Sequence, residues 1–77
     1  MRDLPDDDSW IPEQRRAIGT RIRAERERQG LTQEQVILAA RIDRVTIWRL
    51  ETGQDTKLST LLRIAFVLDV PLRDLIG

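Results

Sequence analysis

Residues 31–53 read LTQEQVILAARIDRVTIWRLETG. Thr32 is a good N-cap, since its hydroxyl reaches the amides of the next turn, and Gln35 stands at capping-box distance from it. Val36, Ile37 and Ala40 follow at the three- and four-residue spacing of one helix face. A second pattern opens after Asp43, another capping residue. It carries Ile47 and Leu50 on one face and stops at Gly53. The spacing predicts two short helices joined by a turn of about three to four residues.

On the N-terminal side, Pro12 suits the first turn of a helix and Glu13 complements its dipole. This first helix is expected to run to about Gln29 and to end at Gly30. Its apolar face is narrow, made by Ala17, Ile18 and Ile22, and six arginines crowd its other faces. Most of those arginines read as a solvated face paired internally with glutamates. On the C-terminal side, a polar loop, Gln54 to Lys57, leads to a fourth helix. Ser59 or Thr60 is its expected cap, and Leu61, Leu62, Ile64, Ala65 and Leu68 are its expected core residues. Val70-Pro71 breaks it, and Pro71 opens a short fifth helix carrying Leu72, Leu75 and Ile76. Nothing alternates like a strand. The expected fold is all-α, a bundle of about five short helices around one core. Residues 1–11 are expected as an acidic arm whose Trp10-Ile11 packs back on the domain, and residues 12–77 as the domain, with 32–52 at its centre.

Composition narrows the function. The 77 residues allow one small domain, of a size that buries only about 60 % of its unfolded surface. Without cysteine there is no disulfide, and without cysteine and histidine there is no usual zinc site, thiol nucleophile or imidazole base. No glycine-rich phosphate loop appears. No enzyme activity, metal or cofactor is expected. No apolar run approaches the ~20 residues of a membrane span, and the acidic start is not a signal peptide, so a cytoplasmic protein, nucleoid-associated when bound to DNA, is expected. The net charge is zero but unevenly spread. Residues 1–12 carry one arginine against four aspartates, a net of −3. Residues 13–53 carry nine arginines against six carboxylates, a net of +3, and residues 54–77 balance. Basic charge therefore gathers on the two central helices and the one before them, as a DNA footprint requires.

The central stretch resembles the phage lambda repressor/Cro class of helix-turn-helix, also called the xenobiotic-response-element family. The residues that carry the resemblance are Leu31-Thr32-Gln33-Glu34, Ile42, Thr46-Ile47, Arg49-Leu50-Glu51 and Gly53. Ile18-Gly19, Arg21-Ile22-Arg23, Leu61-Leu62, Ile64-Ala65, Leu68 and Val70 extend it on either side. It implies a lambda-repressor-like domain that binds double-stranded DNA and works as a dimer. With Ile47 and Leu50 facing inward, Arg44, Val45, Trp48 and Arg49 face outward. The resemblance marks Arg44, Val45 and Arg49 as base readers, and Trp48 joins them on the same face. Thr32, Gln33, Thr46 and Lys57 are the expected backbone contacts, with Gln33 also expected to buttress the first base reader. The family pattern further implies an ion pair between Arg26 and Glu51. Arg41 and Asp69 stand where glycine is usual, Ile37 where alanine is, and Glu25 where leucine is frequent.

The expected function is a sequence-specific transcriptional regulator, mainly a repressor that occludes a promoter as a weak homodimer. Phe66, Leu72, Leu75 and Ile76 are the expected dimer contacts. The rival expectation is a protein-binding module on the same fold, an antitoxin or adaptor, using Trp48 and the acidic arm toward a protein partner.

Overall fold

A computed structural model describes residues 1–77. Five helices follow in order: α1 Trp10–Arg28, α2 Gln33–Ala40, α3 Arg44–Glu51, α4 Leu58–Leu68 and α5 Leu72–Ile76. Residues 1–8 are exposed and form no helix or strand. α1 begins at Trp10, two residues ahead of the expected start, so Trp10 and Ile11 belong to a helix and not to the arm. Pro12 is then the third helical residue. It is tolerated because the first N–H groups of a helix have no partner within it to lose.

The two central helices form as their caps dictate. At α2 the capping box is complete: the Thr32 hydroxyl accepts from the Gln35 N–H at 3.1 Å, and the Gln35 side chain accepts from the Thr32 N–H at 2.7 Å. α2 ends on Arg41 in the left-handed region, φ 57°. The Ile42 N–H closes the end by donating to the Ile37 carbonyl at 3.2 Å. A bulky residue held there costs on the order of 1 kcal/mol. Asp69 ends α4 in the same way, φ 57°, with Val70 N–H donating to the Ala65 carbonyl. Asp43 caps α3, its carboxylate accepting from the Thr46 N–H at 2.6 Å.

α1 packs on α3 and α5, α2 packs on α3 and α4, and α4 packs on α5. The core they share comprises Ile22, Val36, Ile37, Ala40, Ile47, Leu50, Ile64, Ala65, Leu68 and Leu75. Three expectations need correction here. α4 begins at Leu58 with Lys57 at the cap position and no side-chain cap, so neither Ser59 nor Thr60 caps it. Leu62 is half exposed and not a core residue. Leu75 is buried in the core and is not free to make a dimer contact, while Leu72 is partly buried against that core. The physical reason is shared. A five-residue helix has little area, and α5 spends its apolar side on α1 and α4. Glu25, on the thin side of α1, is held by the Gln29 amide and the Arg28 guanidinium. Those bonds, Arg28 first, bring its pKa down to about 2. The same Gln29 amide donates to the Leu68 carbonyl at 2.7 Å, tying α1 to the end of α4.

Candidate nucleic-acid interface

The phase of α3 follows from Ile47 and Leu50, which are fully buried. Arg44, Val45, Trp48 and Arg49 are left on the opposite side. Val45 and Trp48 are each 53 % exposed, among the large apolar side chains left open to solvent. The Arg44 guanidinium donates to the Glu34 carboxylate of α2 at 2.6 Å. Glu34, not Gln33, is therefore the residue of α2 that holds Arg44. The expected buttress by Gln33 is corrected, because the Gln33 amide turns the other way and donates to Glu51 at 3.2 Å. Arg49 has no ion pair, and its positive charge lies close enough to Asp43 to help lower that carboxylate's pKa, after the larger effect of the Thr46 hydrogen bonds.

Of the expected backbone contacts, Thr32 is exposed but uses its hydroxyl oxygen in the α2 cap. Gln33 and Thr46 are half buried, Thr46 against Asp43 and Gln33 against Glu51. Lys57 is exposed and without an ion pair, at the end of the α3–α4 loop. α1 holds that loop. The Arg15 side chain donates to the Gly53 carbonyl at 3.2 Å and stands 3.9 Å from Asp55. Gly53 has φ 85° and lies against Arg16 with no room for a Cβ.

One cluster fixes how α3 is presented. Arg26, near the end of α1, grips Glu51 at the end of α3 with two bonds of 2.9 and 3.0 Å. A third guanidinium N–H donates to the Leu31 carbonyl at 2.8 Å. The two side chains are only 10 % and 4 % exposed. The bond to Glu51 pushes the Arg26 pKa further above its already high ordinary value. With Gln33 as a further donor to Glu51, the cluster joins α1, the start of α2 and the end of α3. A few residues further toward the N-terminus, Gly19 lets α1 rest directly on the Leu50 and Glu51 carbonyls.

Sequence reasoning did not find Arg15, Gly19 and Glu34. Gly19 and Glu34 are among the residues of the resemblance, but the packing of the one and the ion pair of the other have no local signal. Arg15 and Glu34 act on residues 38 and 10 positions away, which only the tertiary fold brings near.

An exposed helix carrying two arginines, locked at its far end and presented beside the start of α2, defines a DNA-binding helix-turn-helix protein. Comparison agrees: a helix-turn-helix domain family model matches residues 17–76, and the chain belongs to that family, in its lambda-repressor/Cro-like form. Among solved structures it is similar to the restriction-modification controller protein C.AhdI from Aeromonas hydrophila. The two are 31 % identical with a TM-score of 0.78, over 82 % of this chain and 97 % of that one. Comparison with curated proteins returns no match. The protein is a DNA-binding transcription regulator, and no helix is long and apolar enough to cross a membrane.

Proposed function

We propose that the protein reads a specific double-stranded DNA site through the major groove, as a weak twofold dimer, and represses by occluding a promoter. The observation that carries this reading is the outward face of α3, with Arg44, Val45, Trp48 and Arg49 on one side and Ile47 and Leu50 buried on the other. A guanidinium donates two bonds to O6 and N7 of guanine, which suits Arg44 and Arg49. Glu34 keeps Arg44 from wandering before DNA arrives. Thr32 and Gln33 at the start of α2, Thr46 in the first turn of α3 and Lys57 in the α1-anchored loop serve the phosphates in this reading. Phosphate contacts set affinity and register, whereas base contacts set sequence.

These roles separate in one experiment. In-vitro selection of DNA sites with Arg44→Ala and with Arg49→Ala is expected to relax preference at particular positions, each by about 1–3 kcal/mol. Lys57→Ala is expected to weaken all sequences alike and to reduce the salt slope by about 1. An unchanged selected motif in both arginine variants would refute the assignment. Wild-type protein that selects no motif, and whose binding ignores salt, would favour the rival protein-binding reading.

The dimer reading changes with the structure. Leu75 leaves the expected set, Leu72 keeps part of its surface, and Phe66 and Ile76 stay exposed. Leu58, Leu62 and Phe66, at successive four-residue steps, make an apolar ridge down the outer side of α4, 63, 50 and 87 % exposed. A twofold contact would set two such ridges together. The patch is far smaller than the ~1,600 Å² of a standard interface, so a weak dimer firmed by DNA is expected. Phe66→Glu should abolish self-association in equilibrium sedimentation and weaken binding to a two-half-site duplex, while the melting temperature holds. A wild-type protein that stays monomeric at millimolar concentration would defeat the dimer. The likeness to a restriction-modification controller protein supports a regulatory role. Repression is checked by transcription in vitro from a promoter that carries the selected site.

A further inference from the structure

The outward face of α3 offers hydrogen-bond donors and carbon, and no acceptor. Arg44 and Arg49 only donate, and the Trp48 indole N–H only donates. Val45 has no polar atom. The oxygens beside these side chains are partly committed to the fold: Asp43 accepts from Thr46, Glu34 accepts from Arg44, and the Thr52 hydroxyl donates to the Trp48 carbonyl at 2.8 Å. The exocyclic amino groups of adenine and cytosine need a protein acceptor to be read directly. The four outward side chains of α3 supply none. Guanine can be read through its acceptors. The feature of an A·T pair that an apolar surface reads is the pyrimidine 5-methyl group, which also fixes the orientation of the pair.

The same face holds the surface that would take that group. At about 100° per residue, the order around α3 is Arg44, Trp48, Val45, Arg49. Val45 and Trp48 are three residues apart, hence neighbours on the helix surface. Each is half exposed, and the pair lies between the two guanidinium-bearing residues. We infer that Val45 and Trp48 form a receptor for the 5-methyl group of a pyrimidine, thymine or 5-methylcytosine, within a step or two of a guanine read by Arg44 or Arg49. This rests on the reading that α3 enters the major groove, and it adds to that reading which bases the α3 face distinguishes.

The test starts from the duplex the full chain selects in vitro. Each thymine is replaced in turn by deoxyuridine, which removes only the methyl group, and each cytosine in turn by 5-methylcytosine, which adds one. Wild-type protein is expected to lose about fourfold in affinity at a thymine whose methyl is taken up, the size of withdrawing one buried carbon from contact. The Val45→Ala/Trp48→Ala variant is expected to show no such loss and to keep its preference for guanine, and its melting temperature verifies that it is folded. A gain on cytosine methylation without a loss on uracil substitution would support the receptor and assign it to 5-methylcytosine. Equal wild-type affinity for all these duplexes overturns the receptor and leaves the groove reading intact. Failure to select any duplex overturns both.

Discussion

Arg26→Ala is expected to destabilise the domain by about 3–5 kcal/mol, the cost of breaking a buried ion pair by removing one partner. The Glu51 carboxylate it would strand is almost wholly buried and would keep only the Gln33 amide, at 3.2 Å. The Leu31 carbonyl would lose its donor as well. For a domain of this size each kcal/mol shifts the melting temperature by about 4–8 °C, so thermal unfolding should show a fall of more than about 12 °C. Total stability of small domains is about 5–15 kcal/mol, which makes this loss a large fraction of the whole. Removing both charges should hurt less, because well-packed apolar residues can replace a buried pair at little net cost. Arg26→Met with Glu51→Leu should therefore recover most of the stability that Arg26→Ala loses. An unchanged melting temperature for Arg26→Ala would show that the pair holds nothing together. The pair sits at the far end of α3, the helix proposed to read DNA, so the same variant should also bind the selected DNA less tightly at temperatures where it remains folded.

Gly19→Ala sets two effects of opposite sign against each other. Gly19 lies within α1, where alanine is favoured over glycine by about 1 kcal/mol. Yet a Cβ there would collide with the Leu50 carbonyl oxygen and stand within 3.0 Å of the Glu51 oxygen. Those atoms are backbone, so no rotamer change relieves the collision, and α1 must lift off α3. Overpacking of this kind costs typically 1–3 kcal/mol and occasionally more. Because the backbone atoms cannot give way, the cost falls at the upper end of that range, and subtracting the propensity gain leaves a net loss of ~2 kcal/mol. The displacement would move the C-terminal end of α3 together with the Arg26–Glu51 bonds, so DNA affinity should fall more than stability alone accounts for. A melting temperature that rises would mean that helix propensity wins and that the close approach of α1 to α3 is not tight.

The helix-turn-helix itself was legible because its signals are local. Thr32 with Gln35, Asp43 before an apolar pair, and Gly53 as a stop act within one turn of themselves, and the caps formed as expected. The phase of α3 was equally legible, since the burial of Ile47 and Leu50 sets the direction of every other side chain on eight residues. The fourth helix was read less well. Ser59 and Thr60 are better caps than Lys57, but Leu58 and its neighbours adopt helical geometry without a side-chain cap, sustained by packing of Ile64, Ala65 and Leu68 on the core. In a strongly apolar helix such as α4, leucines on both sides look alike in sequence, and only its neighbours decide that Leu61 turns inward while Leu62 turns out.

The sequence by itself determined the five helices, the caps of α2 and α3, the inward and outward faces of α3, and the concentration of positive charge on residues 13–53. These depend on residues within about four positions of one another, where backbone hydrogen bonding and side-chain periodicity operate. Tertiary structure alone decided that Leu75 is core and not interface, that Gln33 serves Glu51 while Glu34 holds Arg44, and that Gly19 marks the point where two backbones meet. Each of these depends on where separate helices come to rest. That placement is set by how all five helices share one small core, and it leaves no periodic trace along the chain.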